Sequence, residues 1–260
     1  MKDQVAIVTG STAGIGRNIA EQLAARGAAV VITGRQEARA RQVASEIEAQ
    51  GGRAAGFAFD LEDDESLERL IQRTVETFGR LDILVNNARS VTSVLPLEAL
   101  STQQMRAAFS ANIDNVFLLT LAAYPHLKAS RGQVINIGSV VVNRHLLGLP
   151  IYAIAKGALL QMTKVLAAEW ARDGIRVNAV NPGFIRTELF AELGLSQEEA
   201  DRSFAFFQGY QAMEETSGQP GDIGGLVAWL ASDAARLLTG SIIEADAGYS
   251  VRGLAMSDGP

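Results

Sequence analysis

The chain has 260 residues, 48% of them hydrophobic, which is enough for the core of one domain covering residues 1–260. Its 23 basic and 29 acidic residues give a net charge of -6 without a dense basic block, which argues against a nucleic-acid partner. The chain has no cysteine and only two histidines, which excludes disulfides and thiolate ligands, so we expect no metal site.

The apolar runs of the sequence do not indicate a membrane segment. The first run begins at Val5 and leads directly into a glycine loop, so we expect no signal peptide. The run from Val116 to Tyr124 is too short to cross a bilayer, and the run from Ala153 to Ala171 is interrupted by charged residues. We therefore expect a soluble cytoplasmic protein without a membrane partner.

Short apolar runs alternate with longer amphipathic runs along the whole chain. This alternation predicts an α/β fold, a Rossmann-type doubly wound parallel sheet of about seven strands with helices on both faces. The predicted strands are Val5–Thr9, Ala29–Thr33, Ala54–Phe59, Asp82–Asn86, Gln133–Gly138, Arg176–Val180 and Ser241–Ala245. Apolar residues at helical spacing predict helices at Arg17–Arg26, Glu37–Gln50 and Glu65–Phe78.

A glycine-rich loop follows the first predicted strand and leads into the first predicted helix. Glycines at such a junction allow the backbone to approach a pyrophosphate at the helix N-terminus. The G-x-x-x-G-x-G spacing alone fits a simple tight turn as well, but its position in the α/β pattern favours a nucleotide site. The residues assigned to this site are Gly10, Ser11, Thr12, Gly14, Ile15 and Gly16.

The end of the second predicted strand bears on which nicotinamide nucleotide binds. The chain reads Thr33-Gly34-Arg35, with no carboxylate before Glu37 to bind a ribose 2'-hydroxyl. Arg35 could bind a 2'-phosphate instead, or lie in solvent at the start of a helix. We favour NADP(H) as the cofactor, with NAD(H) as the alternative.

Asp60 follows the third predicted strand and could bind the adenine amino group, and the alternative is a helix N-cap role for it or for its acidic neighbours. We assign Leu61, the next residue, to the same cofactor site.

A tyrosine and a lysine lie four residues apart in Tyr152-Ala153-Ile154-Ala155-Lys156, and on a helix they share one face. A phenol has a pKa of about 10, and a neighbouring cation lowers it by stabilising the phenolate. Tyr152 could then exchange a proton with a substrate oxygen, while Lys156 also holds the nicotinamide ribose. Ser139, at the end of the fifth predicted strand, could hold the same oxygen. The alternative for Tyr152 and Lys156 is a spacing that arose by chance, and the alternative for Ser139 is a serine that only caps a turn.

A long segment from Gly183 to Gly218, rich in aromatic residues, separates the last two predicted strands. It fits a substrate-binding lid, and a pair of ordinary packed helices fits equally well. The residues considered for the substrate pocket are Ser139, His145, Leu147, Tyr152 and Phe190, with a solvated loop position as the alternative for His145. Such a mainly apolar pocket favours a cyclic or aryl ketone over sugars, acyl thioesters or steroid-like alcohols.

Taken together, these motifs resemble the short-chain dehydrogenase/reductase family, in its compact branch, over essentially the whole chain. The matching features are Thr9-Gly10-x-x-x-Gly14-x-Gly16, Asp60, Asn86-Asn87-Ala88, Asn112, Ser139, Tyr152-x-x-x-Lys156, Asn181-Pro182-Gly183 and Thr187. The resemblance implies that Asn86 to Ala88 line the cofactor and that Asn112 supports a water chain to Lys156. It also implies that the nicotinamide is bracketed by Pro182, Gly183 and Thr187, with Ile185 in the same stretch. The catalytic set is then Asn112, Ser139, Tyr152 and Lys156.

One departure from the family pattern concerns Arg89, since glycine usually follows Asn-Asn-Ala where the backbone runs close to the cofactor. Arg89 could turn into solvent, or reach an anionic group of the substrate or of the cofactor.

The resemblance implies an enzyme that interconverts a secondary alcohol and a ketone by hydride transfer, and a homotetramer. We favour NADPH-dependent carbonyl reduction. The alternatives are an NAD-dependent alcohol dehydrogenase of the same family and a non-catalytic nucleotide-binding regulator, which need not keep Ser139, Tyr152 and Lys156 together.

Overall fold

The computed structural model of the chain describes residues 1–90, 94–187 and 196–252. Within these residues seven parallel strands form one sheet, in the order β3-β2-β1-β4-β5-β6-β7. The strands are β1 Val5–Val8, β2 Ala29–Gly34, β3 Arg53–Ala58, β4 Ile83–Asn86, β5 Gln133–Ile137, β6 Arg176–Pro182 and β7 Ile242–Ala245. Each predicted strand is present with its ends shifted by a residue or two, so the predicted doubly wound fold is confirmed.

Helices cover both faces of this sheet. They are α1 Gly14–Ala25, α2 Glu37–Ala49, α3 Asp64–Phe78, α4 Thr102–Phe109, α5 Asn115–Ser130, α6 Pro150–Trp170, α7 Gln197–Gln208 and α8 Pro220–Leu230. Because successive strand residues point to opposite faces, Ala6 and Val8 pack with α1, α2 and α8, while Ile7 packs with α3, α5 and α6. Burial of both faces explains why β1 is an uninterrupted apolar run.

Local signals set the ends of several helices. In α3, the Asp63 side chain accepts a hydrogen bond from the backbone N–H of Glu65, and Gly79 ends the helix in the left-handed region at φ 79°. In α7, Ser196 and Glu199 form a capping box. Pro150 occupies the start of α6, where a missing N–H costs nothing.

The strand order places a crevice between β1 and β4. From β1 the chain builds outward through β2 to β3, then returns to the other side of β1 as β4. The connections after β1 and after β4 therefore run to opposite sides and leave a crevice between them. Ligands of doubly wound sheets bind in this crevice, at the carboxyl ends of the strands. The glycine loop, Arg35, Ala88 and Ser139 all follow strand ends at this edge.

Helix α6 with its following turn, Pro150–Asp173, has the length and apolar composition of a membrane-crossing helix, alone among the described residues. Of its most apolar stretch, 44% is buried within the protein. It packs on β5 and β6 as a core helix does. The expectation of no membrane partner stays a prediction.

Candidate active site

The glycine loop has the geometry that only glycine permits at three of its positions. Gly10 and Gly14 have φ of 62° and 54°, in the left-handed region. A Cβ on Gly16 would lie 2.4 Å from both the Asn87 side-chain nitrogen and the Gly10 carbonyl oxygen. Helix α1 begins at this loop behind Ala13, whose side chain cannot cap its first N–H groups. Backbone donors of this kind fit the pyrophosphate of a dinucleotide.

Hydrogen bonds fix the loop after β4 against the glycine loop. The Thr9 hydroxyl oxygen accepts the backbone N–H groups of Asn87 and Ala88, each at 2.9 Å. The Asn87 side-chain amide donates to the carbonyl oxygens of Thr9 at 2.8 Å and Gly10 at 3.1 Å. These bonds hold the two walls of the crevice at a fixed separation.

Two predicted cofactor residues have side chains that point into the protein. The buried Ser11 hydroxyl donates to the Val8 carbonyl oxygen at 2.6 Å and accepts the Thr33 N–H at 2.9 Å. The buried Asn86 amide donates to Asn136 and to the hydroxyl of a threonine on α5. In this arrangement both side chains support the crevice from within and do not line it.

The predicted site for the nucleotide 2'-position lies at the end of β2. Arg35 is exposed there, and within the described part of the chain it forms no ion pair. The nearby Glu37 carboxylate instead binds Arg73 at 3.0 Å and Arg41 at 2.6 Å, and these two bonds lower the pKa of Glu37. Thr12 lies against Gly34, where a Cβ would be 2.7 Å from the threonine methyl. The predicted ribose end of the crevice therefore contains an exposed cation, Arg35, and a carboxylate, Glu37, that is already paired with two arginines.

Asp60 and Leu61 follow β3 and take part in local structure. Asp60 accepts the backbone N–H of Glu62 at 3.0 Å in a turn before α3, whereas the cap of that helix is its acidic neighbour Asp63. Leu61 is buried, and its carbonyl oxygen accepts a hydrogen bond from the side chain of Asn115 at 2.5 Å.

Tyr152 and Lys156 lie one turn apart at the start of α6. Lys156 is 3% exposed, its ammonium group donates to the Ile137 carbonyl oxygen at 2.8 Å, and it lies 5.7 Å from the centre of the Tyr152 ring. Burial raises the pKa of Tyr152, while the charge of Arg89 and a hydrogen bond with Ser139 act in the opposite direction. Burial, helped by Arg89, lowers the pKa of Lys156 to about 7.

Ser139 caps a turn and also lies beside Tyr152, while its role toward a substrate oxygen stays a prediction. It follows β5 in an extended conformation, and its hydroxyl oxygen accepts the Val141 N–H at 3.4 Å at the start of a short 3-10 turn. The same hydroxyl group interacts with Tyr152. The turn therefore orients the serine beside the phenol.

Asn112 lies in a π-helical turn, Ser110–Asp114, between α4 and α5, and is 1% exposed. Its side chain donates to the carbonyl oxygens of Ser90 at 2.8 Å and Ala108 at 2.9 Å, and it accepts the Ser90 N–H at 3.2 Å. Such turns occur often at functional sites. The contacts of Asn112 thus fix the segment after β4, and its implied water chain to Lys156 stays a prediction.

The residues after β6 close the crevice from above. A Cβ on Gly183 would lie 2.7 Å from the Asp246 Cα, so this position has no room for a side chain. Ile185 pairs with Gly218 in an isolated bridge, and the Thr187 methyl faces the glycine loop, 3.4 Å from where a Cβ on Gly14 would lie. Pro182 ends β6 just before this stretch.

The structure does not bring all of the predicted substrate residues together at the site. His145 is exposed, with its Nδ1 atom 3.0 Å from the Val141 carbonyl oxygen, and the Leu147 side chain is 99% exposed. Phe190 lies outside the described residues. The described end of the predicted insertion forms α7, where the Phe207 ring stacks on Phe184 with centroids 4.0 Å apart. The lid role of this segment stays a prediction.

A series of buried, hydrogen-bonded polar side chains beneath the site was not predicted from the sequence. Asn136 on β5 accepts a hydrogen bond from Asn86 at 2.8 Å and donates to Thr163 on α6 at 2.9 Å. This chain ties two strands to the helix that carries Tyr152 and Lys156. A signal was present in the sequence, because Asn136 interrupts the apolar run from Val134 to Ile137 and a buried amide needs hydrogen-bond partners.

The described residues contain no group of three or more potential metal ligands.

Comparison with known proteins gives concordant matches over the chain. A family model described as enoyl-(acyl carrier protein) reductase matches residues 10–250. The chain is 36% identical over 259 residues to a short chain dehydrogenase/reductase of Aspergillus oryzae, covering 96% of each protein. It is 35% identical over 257 residues to a 7alpha-hydroxysteroid dehydrogenase of Clostridium sardiniense, covering 96% of this chain and 95% of that protein. A solved short chain dehydrogenase from Burkholderia cenocepacia in complex with NADP has a TM-score of 0.87 and 32% identity, covering 96% of this chain and 99% of that one.

Proposed function

Because this chain belongs to the short-chain dehydrogenase/reductase family, we propose that it reduces a ketone to a secondary alcohol with NADPH. The family assignment makes it a nicotinamide-dependent oxidoreductase that acts on CH–OH groups. The observation that supports the proposal most is the pair of half-buried Tyr152 and buried Lys156 beside Ser139 at the end of β5.

The proposed mechanism assigns one task to each of these side chains. The bound nicotinamide nucleotide supplies the hydride. The Ser139 hydroxyl donates a hydrogen bond to the carbonyl oxygen and polarises it. The Tyr152 phenol gives its proton to the same oxygen as negative charge develops there. Lys156 then stabilises the phenolate through its positive charge, and in the reverse reaction Tyr152 takes the proton back.

The preference for NADPH is supported by the charges at the end of β2. A 2'-phosphate carries negative charge that Arg35 can bind through paired, charge-assisted hydrogen bonds. The Glu37 carboxylate is already bonded to Arg41 and Arg73 and is less available to a 2'-hydroxyl. The relative from Burkholderia cenocepacia was solved with NADP.

Replacing Arg35 with alanine tests this preference. We expect the Kd of NADPH to rise about 10- to 100-fold, because charge-assisted bonds to the 2'-phosphate are lost, and that of NADH to stay within about threefold. Both constants follow from quenching of protein fluorescence on titration. Arg26→Ala, at the opposite end of the sheet, is the control and should change neither constant. Equal weakening of both nucleotides would refute the role of Arg35.

We propose a cyclic or aryl ketone as the substrate. Phe184, Phe207 and Tyr249 form a contiguous aromatic cluster next to the residues after β6, with Tyr249 edge-on to Phe184 at 5.1 Å between centroids. Tyr249 is buried, and the half-buried rings of Phe184 and Phe207 are the accessible part of this cluster, which suits a flat, apolar substrate. A panel of cyclic, aryl and open-chain ketones assayed with NADPH will rank these classes.

We also propose that the enzyme is a homotetramer. The apolar side chains of Phe117, Leu118 and Leu121 on α5 and of Ile154 and Val165 on α6 are exposed in the isolated chain. Exposed apolar surface shared by neighbouring helices is typical of subunit interfaces.

A charged side chain within the apolar surface on α5 and α6 should prevent the tetramer from forming. We expect the wild type to sediment as four chains at micromolar concentration and Leu118→Glu to sediment as a smaller species, because a carboxylate cannot be buried unpaired. The control is Phe206→Glu, an exposed apolar position on α7, a helix that is not part of the apolar surface on α5 and α6. A wild-type monomer in analytical ultracentrifugation would exclude the tetramer.

A further inference from the structure

Arg144 lies in the loop after β5, close behind Ser139 in the chain. The short 3-10 turn Val140–Val142 follows Ser139, and the Arg144 backbone N–H donates to the Val140 carbonyl oxygen at 3.2 Å. The backbone that orients Ser139 beside Tyr152 therefore also fixes the point from which the Arg144 side chain extends.

The half-buried Arg144 side chain contacts two tyrosines from distant parts of the chain. Its guanidinium carbon lies 5.2 Å from the ring centre of Tyr210 and 4.7 Å from that of Tyr249, both within the range of a cation–π interaction. Its Nη1 atom donates to the backbone carbonyl oxygens of the same two residues, at 3.5 Å and 3.4 Å. Each tyrosine is therefore held by its ring and by its backbone.

The two tyrosines belong to segments that already bond to each other. Tyr210 follows α7 and Tyr249 follows β7. Between these segments the Met213 N–H donates to the Ala247 carbonyl oxygen at 3.0 Å. Arg144 adds a link from this joined pair of segments to the loop after β5, which carries the reacting serine.

Tyr249 connects Arg144 to the aromatic cluster proposed to bind substrate. Tyr249 is buried, and its ring packs edge-on against Phe184 with centroids 5.1 Å apart. Phe184 in turn stacks on Phe207, and these two rings are the accessible part of the cluster. The distance between this accessible surface and Ser139 therefore depends on the contacts that Arg144 makes with Tyr249.

We propose that Arg144 is a positioning residue that holds the aromatic cluster of Phe184, Phe207 and Tyr249 at a set distance from Ser139, so that the enzyme prefers ketones with a ring beside the carbonyl carbon over small open-chain ketones. This inference rests on the proposed ketone reduction and deepens its substrate preference. An aryl ketone contacts the serine through its oxygen and the cluster through its ring, so a change in their separation weakens its binding. A small ketone reaches the serine alone and loses nothing.

A matched pair of ketones tests the inference: acetophenone, which carries a ring beside its carbonyl group, and butanone, which does not. With NADPH, we expect Arg144→Met to raise the KM of acetophenone about tenfold, and to leave the KM of butanone and the kcat of both within about threefold. Arg144→Lys should recover part of the loss, because it keeps a charge near the two rings without the planar guanidinium. The control is Arg69→Met, an exposed arginine on α3, which should change neither KM.

Amide hydrogen exchange measures the link itself, independently of turnover. In enzyme with NADP⁺, we expect peptides covering residues 209–214 and 246–252 to exchange about fivefold faster in Arg144→Met than in the wild type or in Arg69→Met. Peptides of β1 should exchange equally in all three, which shows that the variants are folded. Unchanged exchange in both segments would overturn the link. An equal rise in the KM of both ketones, or an effect on kcat alone, would overturn the positioning role.

Failure of this inference can be distinguished from failure of the proposed function. If acetophenone is reduced in a reaction that depends on Tyr152 while Arg144→Met leaves its KM unchanged, the proposed function stands and the role of Arg144 falls. If no ketone of the panel is reduced, the proposed function fails. Calorimetric binding of benzamide to the enzyme with NADP⁺ then decides the role of Arg144: a Kd about tenfold higher in Arg144→Met supports it, and an unchanged Kd overturns it.

Discussion

Tyr152→Phe is expected to lower kcat for ketone reduction by about a thousandfold, because the variant keeps the aromatic ring and loses the proton that the mechanism requires. NADPH affinity should stay within about threefold, since the phenylalanine ring fills the same space. Steady-state rates with NADPH, together with fluorescence titration of the nucleotide, measure both quantities.

The control for this variant removes the same atom elsewhere in the fold. Tyr124 on α5 donates a hydrogen bond to Asp173 at 2.7 Å and packs on Trp170, away from the crevice. Tyr124→Phe should lose some stability and keep its kcat. Full turnover by Tyr152→Phe would rule out the phenol as the proton donor and with it the proposed mechanism.

Lys156→Met is expected to remove most of the activity and yet to stabilise the nucleotide-free fold at neutral and acid pH. Activity falls because the variant loses the cation that lies one helical turn from the phenol and stabilises the phenolate, and we expect a loss in kcat of about a hundredfold or more. Stability rises because Lys156 is buried with its pKa lowered from 10.5 to about 7. Below about pH 7 Lys156 is charged in the folded protein although it is buried, and removing this charge from water lowers the free energy of unfolding. Methionine at this position avoids that cost.

The pH dependence of this effect has a definite sign. Between about pH 7 and 10.5 the unfolded chain binds more protons at Lys156 than the folded chain, so the free energy of unfolding of the wild type rises with pH in that window. The destabilisation of the folded protein by the buried ammonium group has its full value below about pH 7 and is absent above about pH 10.5. At 1.36 kcal/mol for each pKa unit, less the lost bond to the Ile137 carbonyl, Lys156→Met should gain about 3 kcal/mol at pH 6.

Urea denaturation of the nucleotide-free enzyme at pH 6 and pH 9, at one protein concentration, measures this difference. Lys164→Met is the control, because Lys164 lies on the same helix with its side chain exposed. A gain in Lys156→Met that is equal at pH 6 and pH 9 would show that packing, and not the buried charge, accounts for it.

The elements of the fold could be predicted from the sequence because their signals are local. Continuous apolar runs such as β1 mark strands buried on both faces, and helical spacing of leucines marks α3. The glycine loop, Ser139 and the Tyr152–Lys156 pair could be found in the same way. Each lies at a strand end or within one helical turn, so spacing along the chain predicts their common location.

The directions of polar side chains could not be predicted in this way. Ser11 and Asn86 belong to the expected motifs, yet their side chains bond within the protein. Glu37 offers a carboxylate in the sequence, but Arg73, which lies 36 residues away, engages it. Asn112 gave no local signal, because two of its side-chain bonds go to Ser90, which lies 22 residues away in the chain.

By itself the sequence determined the fold class, the family and the set of candidate residues, because these follow from the spacing of apolar runs, glycines and reactive side chains along the chain. The tertiary structure alone decided which of these side chains face the crevice, how far the pKa of Lys156 falls, and that Arg89 acts on Tyr152. The reason is physical: burial and Coulomb interactions depend on distances between atoms, and folding brings residues 89, 112, 139 and 156 together from separate strands and helices.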